Sequence, residues 1–475
     1  FSMLKIFKDL FQSLQINEIQ FCNWKGHHTV EKHLRGDGDL DLFVPLSFKD
    51  QFEEISNEAG FRRVISFQAS HEFIEHYYGF DEASFKFAHI HVYFKLVTGE
   101  HVSKNYILPL EKYLMENQEG EKLLPLINEK AKRSIFLIRY FLKIGSVYGI
   151  IQYFREKNKY SFEWESFQKI DGYEDIPELN LSGEELEYFE QIYESLNPIK
   201  QILTSINLKK NLKRFRRKTY IDLLIFESKN LIQRLINKYF TKKKKILDPG
   251  LVVAVCGLDG SGKSSIVEAL RKNFSENFSV KIYHLGRPRS NFLTLLINPL
   301  IFIYSLFKRF RKKKEGQFSK NKRISLVYAI RSVLLAYDRK IESQRAYRLG
   351  KKGYLVICDR YPGLITGKMD CPRIYEDPKR GSLYKFCYRL EKSLYMSIRP
   401  ADVIMHLSVP LEEAIRRNNK REKFGKETEA ELRERYNVNS GVKFLAEDYH
   451  HIDATVPFRE VLLVTTSLIW NFKMK

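Results

Sequence analysis

The chain has 475 residues, too many for one ordinary hydrophobic core, so two or three domains are expected. Its 44% apolar and 14% aromatic content exclude a globally disordered chain, because that much apolar material buries enough surface to offset the ordering entropy. Lysine and arginine outnumber the acids 80 to 58, and the resulting formal charge of +22 attracts polyanions, acidic headgroups and phosphorylated small molecules without choosing among them.

Phe1 and Ser2 stand ahead of Met3 and read as residues before a natural start; the amphipathic segment that follows, with interspersed Lys and Asp, is unlike a signal peptide. A helix is expected from about Leu4, strands over Ile19 to Trp24 and Leu40 to Val44, a helix from Phe48, and strands over Arg63 to Phe67 and Ala88 to Leu96. Together they make an α+β domain over 1–127. From about Asn128 to Phe240 the apolar residues fall at helical spacing (Ile135, Ile138, Phe141 and Leu142, later Leu223, Phe226, Leu231 and Leu235), which predicts a helical appendage and basic linker over 128–248. The linker carries Arg214, Arg216, Arg217, Lys218 and the run Lys242 to Lys245, either a solvated face or a surface for nucleic acid.

Asp248-Pro249-Gly250 marks a boundary, since Pro-Gly breaks regular structure after a run of like charges. Strand signals then recur at Leu251 to Cys256, Val280 to His284, Tyr354 to Cys358, Val403 to Leu407 and Tyr449 to Ile452, separated by helical patterns. This is the alternation of an α/β domain with a doubly wound parallel sheet over 249–475. A basic and apolar insertion occupies about 291–339. Within it Phe292 to Phe307 is interrupted by Asn298 and Pro299 and falls short of the roughly 20 residues a spanning helix requires. Followed at once by Lys308, Arg309, Arg311 and Lys312, it is either a helix resting on anionic lipid at the inner membrane face or a buried helical pair. The five cysteines, Cys22, Cys256, Cys358, Cys371 and Cys387, are odd in number and lack CxxC spacing, so they read as core thiols of a cytoplasmic protein.

The run Gly257-Leu258-Asp259-Gly260-Ser261-Gly262-Lys263-Ser264 fits GxxxxGK(S/T) and stands between an apolar strand and a helix, as that motif requires. Its glycines let backbone N–H groups converge on phosphate oxygens, with Ser265 continuing into the helix. Lys263 can reach the β and γ phosphates of ATP, and the Ser264 hydroxyl can ligate Mg²⁺. Asp359-Arg360-Tyr361-Pro362 closes a later strand. A carboxylate at the carboxyl end of a parallel strand beside such a loop faces the metal and the reacting phosphates, and Arg360 can hold an anionic acceptor by a bidentate contact. Arg416, Arg417, Lys420 and Arg421 form a basic cluster after the fourth strand, with Arg417 and Arg421 on one helical face.

Read together, these motifs resemble the thymidylate kinase family from about Leu251 to the end. The resemblance implies ATP as phosphate donor, Asp259 as a contact to the acceptor sugar, the Arg416 to Arg421 segment as a lid, His451-Ile452-Asp453-Ala454 near the adenine, and a dimer. Where that family carries Arg-Glu-Pro-Gly after its second strand, this chain has His284-Leu285-Gly286-Arg287-Pro288-Arg289. Two arginines are thus available for an acceptor phosphate, with no carboxylate beside them.

In the first domain Trp24-Lys25-Gly26 precedes Gly36-Asp37-Gly38-Asp39-Leu40-Asp41-Leu42. On a strand, Asp39 and Asp41 point to one side and can share Mg²⁺, while Leu40 and Leu42 enter the core. This pattern resembles the nucleotidyltransferase superfamily, which implies a nucleotide held by Lys25 and Gly26 against that metal. The family's third carboxylate is replaced by His89 and His91 of Ala88-His89-Ile90-His91. Joined, the two halves resemble kinase-like fusion proteins associated with bacterial surface polysaccharide assembly. The expected function is phosphorylation of a nucleotide or a small phosphorylated or sugar metabolite by one domain, coupled to nucleotidyl transfer by the other. Two other classes stay open: an enzyme modifying tRNA or RNA ends, and a non-catalytic nucleotide sensor.

Overall fold

In a computed structural model the chain divides into two compact units, Phe1–Lys242 and Lys243–Lys475. The structure describes residues 3–66, 71–100, 103–119, 122–144, 160–239, 243–246, 250–299, 303, 325–419, 428–439 and 441–472. Arg421, Lys420 and most of the 300–324 stretch of the insertion lie outside the described residues.

Strand alternation organises the first unit. Its strands are β1 (Cys22–Asn23), β2 (Asp39–Phe43), β3 (Phe61–Ser66), β4 (Ile74–Asp81), β5 (Lys86–Tyr93), β6 (Leu96–Thr98), β7 (Tyr106–Leu108), β8 (Gln118–Glu119) and β9 (Leu126–Ile127). Apart from the β6–β7 hairpin they lie in the order β3-β4-β5-β2-β1-β9-β8, with β2 and β5 parallel and β4 antiparallel to both β3 and β5. Leu40, Leu42, Ala88, Ile90 and Val92 share a core with the helices Lys5–Ile16 and Lys49–Glu58. The alternate residues Phe43 and Tyr93 join a second core, built with the helices Glu129–Ile144, Gly183–Glu194 and Pro198–Asn211. Period-2 geometry therefore sends Asp39, Asp41, His89 and His91 to the side of the second core.

The structure departs from the sequence expectations in several places. β4 is an additional strand, because Glu75, His76 and Asp81 interrupt the apolar pattern that would have announced it. The strand expected over Ala88 to Leu96 is two strands, β5 ending at Tyr93 and β6 beginning at Leu96. Two arginines of the basic segment turn inward: Arg216 Nε donates to Tyr106 Oη at 2.9 Å, and Arg217 pairs with Glu72 at 2.8 Å.

In the second unit a two-residue strand, β10 (Lys244–Lys245), bridges Phe278. The main sheet comprises β11 (Leu251–Gly257), β12 (Val280–His284), β13 (Leu355–Asp359), β14 (Ala401–Ser408) and β15 (Ala446–Asp453), in the order β12-β13-β11-β14-β15 with every pair parallel. β11 is buried throughout, which is why it reads Leu-Val-Val-Ala-Val-Cys with no polar alternation. After β11 the chain crosses to β12 at one edge, and after β13 it crosses back past β11 to β14. The gap between the carboxyl ends of β11 and β13 is thus a switch point, where open parallel sheets bind ligands. All five cysteines are buried free thiols, and burial raises those of Cys22, Cys256 and Cys358. No helix among the described residues is long and apolar enough to cross a membrane.

Within the first unit Lys209 Nζ meets Glu100 Oε1 at 2.7 Å, with both side chains under a tenth exposed. Removing one partner of a buried pair leaves an uncompensated charge. Glu100→Ala is therefore expected to lower stability by about 3–5 kcal/mol in urea denaturation, and a Glu100→Leu, Lys209→Met double variant to recover most of the loss.

Candidate functional site

The glycine-rich bend begins where β11 ends. Gly257 has φ 144°, and a Cβ there would stand 2.3 Å from the Leu407 carbonyl oxygen, so only glycine lets the loop pass this close to β14. The helix Lys263–Ser275 follows, capped by Gly262 with φ 88° and open space around the position of its absent side chain. Ser264 and Ser265 are exposed on its first turn. Lys263 is almost fully buried; its Nζ donates to the Leu258 carbonyl at 2.6 Å and lies 3.7 Å from Asp259 Oδ1. Burial first, and the Arg360 charge second, lower its ammonium to about 8.

Asp259 is the centre of a cationic ring. Arg360 Nη2 donates to its Oδ1 at 2.7 Å and Arg435 Nη1 to its Oδ2 at 2.5 Å. Burial pushes this carboxyl up, but Lys263, Arg360 and Arg435 outweigh it and hold the group at about 2. Arg360 also reaches Asp370 at 3.4 Å, and Asp370 accepts from Arg339 at 2.7 Å. Arg339 is wholly buried and donates in addition to the carbonyls of Leu285 and Gly286 and to Tyr395 Oη.

Arg360 itself occupies the left-handed region, φ 68°, rare for a side-chain-bearing residue, with its N–H bonded to the Val255 carbonyl at 3.0 Å. Its side chain lies against Gly286, where a Cβ would come within 2.3 Å of Arg360 Cδ. Asp359, one residue earlier, pairs through Oδ2 with His284 Nδ1 at 3.2 Å, while its Oδ1 is buried without a hydrogen-bond partner among the described residues. The buried Ser261 Oγ is in the same condition.

The structure thus brings together Asp259, Lys263, Asp359 and Arg360. Arg287 and Arg289 are exposed on the loop after β12 and do not join this ion-pair chain among the described residues. Arg416 and Arg417 both pair with Glu413 at 2.6 Å on the helix Leu411–Asn419, and Arg417 also donates to the Ala454 carbonyl. Sequence reasoning did not single out Arg435, Arg339 or Asp370. Arg435 sits in the charged run Glu431 to Arg435 of the helix Glu429–Asn439, where nothing local separates it from Arg433, which pairs with Glu412 and Glu429 instead.

In the first unit, strand register places Asp39 opposite His89 and Asp41 opposite His91, and β4 sets His76 opposite His91. Asp39 Oδ1 lies 2.9 Å from His89 Nδ1, and Asp39 Oδ2 3.5 Å from His91 Nε2. Asp41 Oδ1 stands 3.6 Å from His91 Nδ1 and 3.1 Å from Lys25 Nζ. Lys25 also donates to Tyr93 Oη at 2.7 Å, from a turn opened by Gly26 with φ 68°. Burial lowers the Lys25 ammonium and raises the Asp41 carboxyl, but Lys25 and His91 hold Asp41 below the usual carboxylate range.

A parallel sheet, a glycine-rich loop at its switch point and a buried lysine opening the next helix define the second unit as a P-loop, kinase-like α/β unit. No family model matches the chain. Over 220 residues it is 28% identical to YghR of Escherichia coli K12, described as an uncharacterized ATP-binding protein, a match covering 45% of this chain and 84% of YghR. YghR of E. coli O6:H1 strain CFT073 matches with the same identity and coverage. Among solved structures it is similar to thymidylate kinase from Candida albicans, 18% identical with a TM-score of 0.26, covering 46% of this chain and 90% of that one.

The Asp259 ring carries a pH signature. A carboxyl held at about 2 against an ordinary 3.8 contributes stability that is present above pH 4 and lost as pH falls through 2. Asp259→Asn is expected to cost roughly 2 kcal/mol at neutral pH. Calorimetric melting of the two proteins should show that deficit shrinking between pH 4 and 2.

Proposed function

We propose that the second unit is an ATP-dependent phosphotransferase acting on a small anionic acceptor, a nucleotide or a phosphorylated or sugar metabolite. The observation that carries this reading is the buried Lys263 ammonium, curled onto the glycine-rich bend and flanked by the Asp259, Arg360 and Arg435 ring. The similarity to YghR, described as an ATP-binding protein, supports the choice of nucleotide. A cytoplasmic location follows, where ATP and reduced thiols coexist.

Phosphoryl transfer needs little covalent work from a protein, so the residues act by placing charge and excluding water. The Gly257 to Ser264 amides bind the triphosphate tail, and Lys263 leaves the Leu258 carbonyl to meet its terminal oxygens. Arg360 and Arg435, released from Asp259 by a competing anion, hold the acceptor, with Arg287 and Arg289 as further cations on its approach. Asp259 then faces the acceptor's hydroxyls. Arg416 and Arg417, with Arg421, supply the basic lid. The unpartnered Asp359 Oδ1 and the exposed Ser264 hydroxyl fit Mg²⁺, which when bound neutralises charge on the transferred group.

For the first unit the finer reading is a nucleotidyltransferase-like site on Lys25, Gly26, Asp39 and Asp41, coupled to the kinase in surface polysaccharide assembly. Its support is the shared side of Asp39 and Asp41 and the Lys25 contact to Asp41. Transfer of labelled nucleotide that persists in Asp41→Asn would remove it.

Two outcomes test the kinase reading. Lys263→Ala should lower ATP turnover, read as ADP release, by roughly a hundred- to a thousandfold, and undiminished turnover would exclude this site. Because Lys263 titrates near 8 when free and is protonated against phosphate, ATP binding at pH 8 should take up about half a proton and weaken as pH rises further. Calorimetry in buffers of differing ionisation enthalpy reads that uptake, and Lys263→Arg should abolish it.

A further inference from the structure

Three histidines converge beside the two aspartates of the first unit. His76, His89 and His91 each offer one ring nitrogen, all within 4.8 Å of one another. One pair, His76 Nδ1 and His89 Nε2, stands 3.3 Å apart. Two nitrogens each about 2.0–2.1 Å from a tetrahedral zinc lie roughly 3.3 Å from one another, so this spacing is already that of two ligands on one ion.

The surroundings are those of a metal-binding histidine cluster. The carboxylate of Asp39 engages His89 Nδ1 at 2.9 Å, which turns His89 Nε2 toward His76. A carboxylate behind a ligating imidazole fixes its tautomer and raises its basicity. Tyr78 stacks on His89 with ring centres 4.0 Å apart and 15° between planes, which restrains the ring. Asp41 Oδ1 stands behind His91 Nδ1 at 3.6 Å, leaving His91 Nε2 beside Asp39 Oδ2 at 3.5 Å. His89 is buried while His76 and His91 are half-buried, so one side of the cluster is open to solvent.

We propose that the first unit binds one transition-metal ion of the zinc class through His76, His89 and His91. Asp39 and Asp41 orient the imidazoles. Imidazole donors suit zinc and its neighbours, whereas Mg²⁺ prefers an octahedral shell of oxygens. The inference deepens the nucleotidyltransferase-like reading by naming the metal its site would hold. It stands apart from that reading in its test, which counts bound metal and not transferred nucleotide, and it does not involve the kinase unit.

The experiment uses the untagged full chain, stripped with a chelator and titrated with Zn²⁺ and, separately, Co²⁺. One equivalent of bound metal is expected, with the visible absorption of four-coordinate Co²⁺, and millimolar Mg²⁺ should not displace it. A His76→Ala, His91→Ala variant should lose the stoichiometric metal, and Asp39→Asn should weaken binding about 10–100-fold. Circular dichroism and thermal melting establish that each variant is folded. If the double variant fails to fold, His76→Gln and His91→Asn singly answer the same question. Absence of stoichiometric binding by the parent chain, retention of metal by folded histidine variants, or displacement by Mg²⁺ would each overturn the assignment.

Discussion

An ammonium group held almost without water organises the second unit. Burying the charge of Lys263 is costly unless partners replace its hydration, and here the Leu258 carbonyl and Asp259 do so. That arrangement requires a bend tight enough to turn a carbonyl back toward the lysine, hence the glycines. It also requires a carboxylate within the bend, hence Asp259. Asp259 in turn collects Arg360 and Arg435, Arg360 collects Asp370, and Asp370 collects Arg339. A line of alternating charges thus runs from the phosphate loop into the helix Leu326–Gly350, and each member is tolerable inside the protein because its neighbours are there.

The first unit solves a similar problem on a sheet. Period-2 alternation forces every second residue of β2, β4 and β5 onto one side, and among those residues are Asp39, Asp41, His76, Tyr78, His89 and His91. Polar groups gathered this closely must satisfy one another or a ligand, and they do so by pairing carboxylate with imidazole across neighbouring strands.

The core of the second unit was legible because a buried parallel strand has no choice of composition: Leu251 to Cys256 and Tyr354 to Cys358 can be read almost residue for residue. The phosphate loop was legible because its spacing carries its own chemistry. Asp39 and Asp41, too, could be placed on one side from spacing alone. What escaped depends on tertiary geometry. His76 lies on a strand whose Glu75 and Asp81 obscure its periodicity, and it meets His89 and His91 only through sheet register. Arg435 reaches Asp259 from a sequence distance of 176 residues, with no local signal to set it apart from Arg433. The left-handed backbone at Arg360 was equally hidden, since it follows from strand pairing at Val255 and the bare Gly286 beneath the side chain.

The salt links between Asp259 and its two arginines engage all three groups with one another, so an acceptor of the proposed phosphotransferase would meet charges that are already paired. A weakly held anion drifting in gains little, because the guanidinium forks are already engaged. Only a molecule that displaces both forks at once, and gives the freed carboxylate something to accept, recovers what the opening costs. In a protein of such high positive charge, this internal counter-ion would, under that proposal, filter against the abundant phosphates that the molecule's overall field draws in.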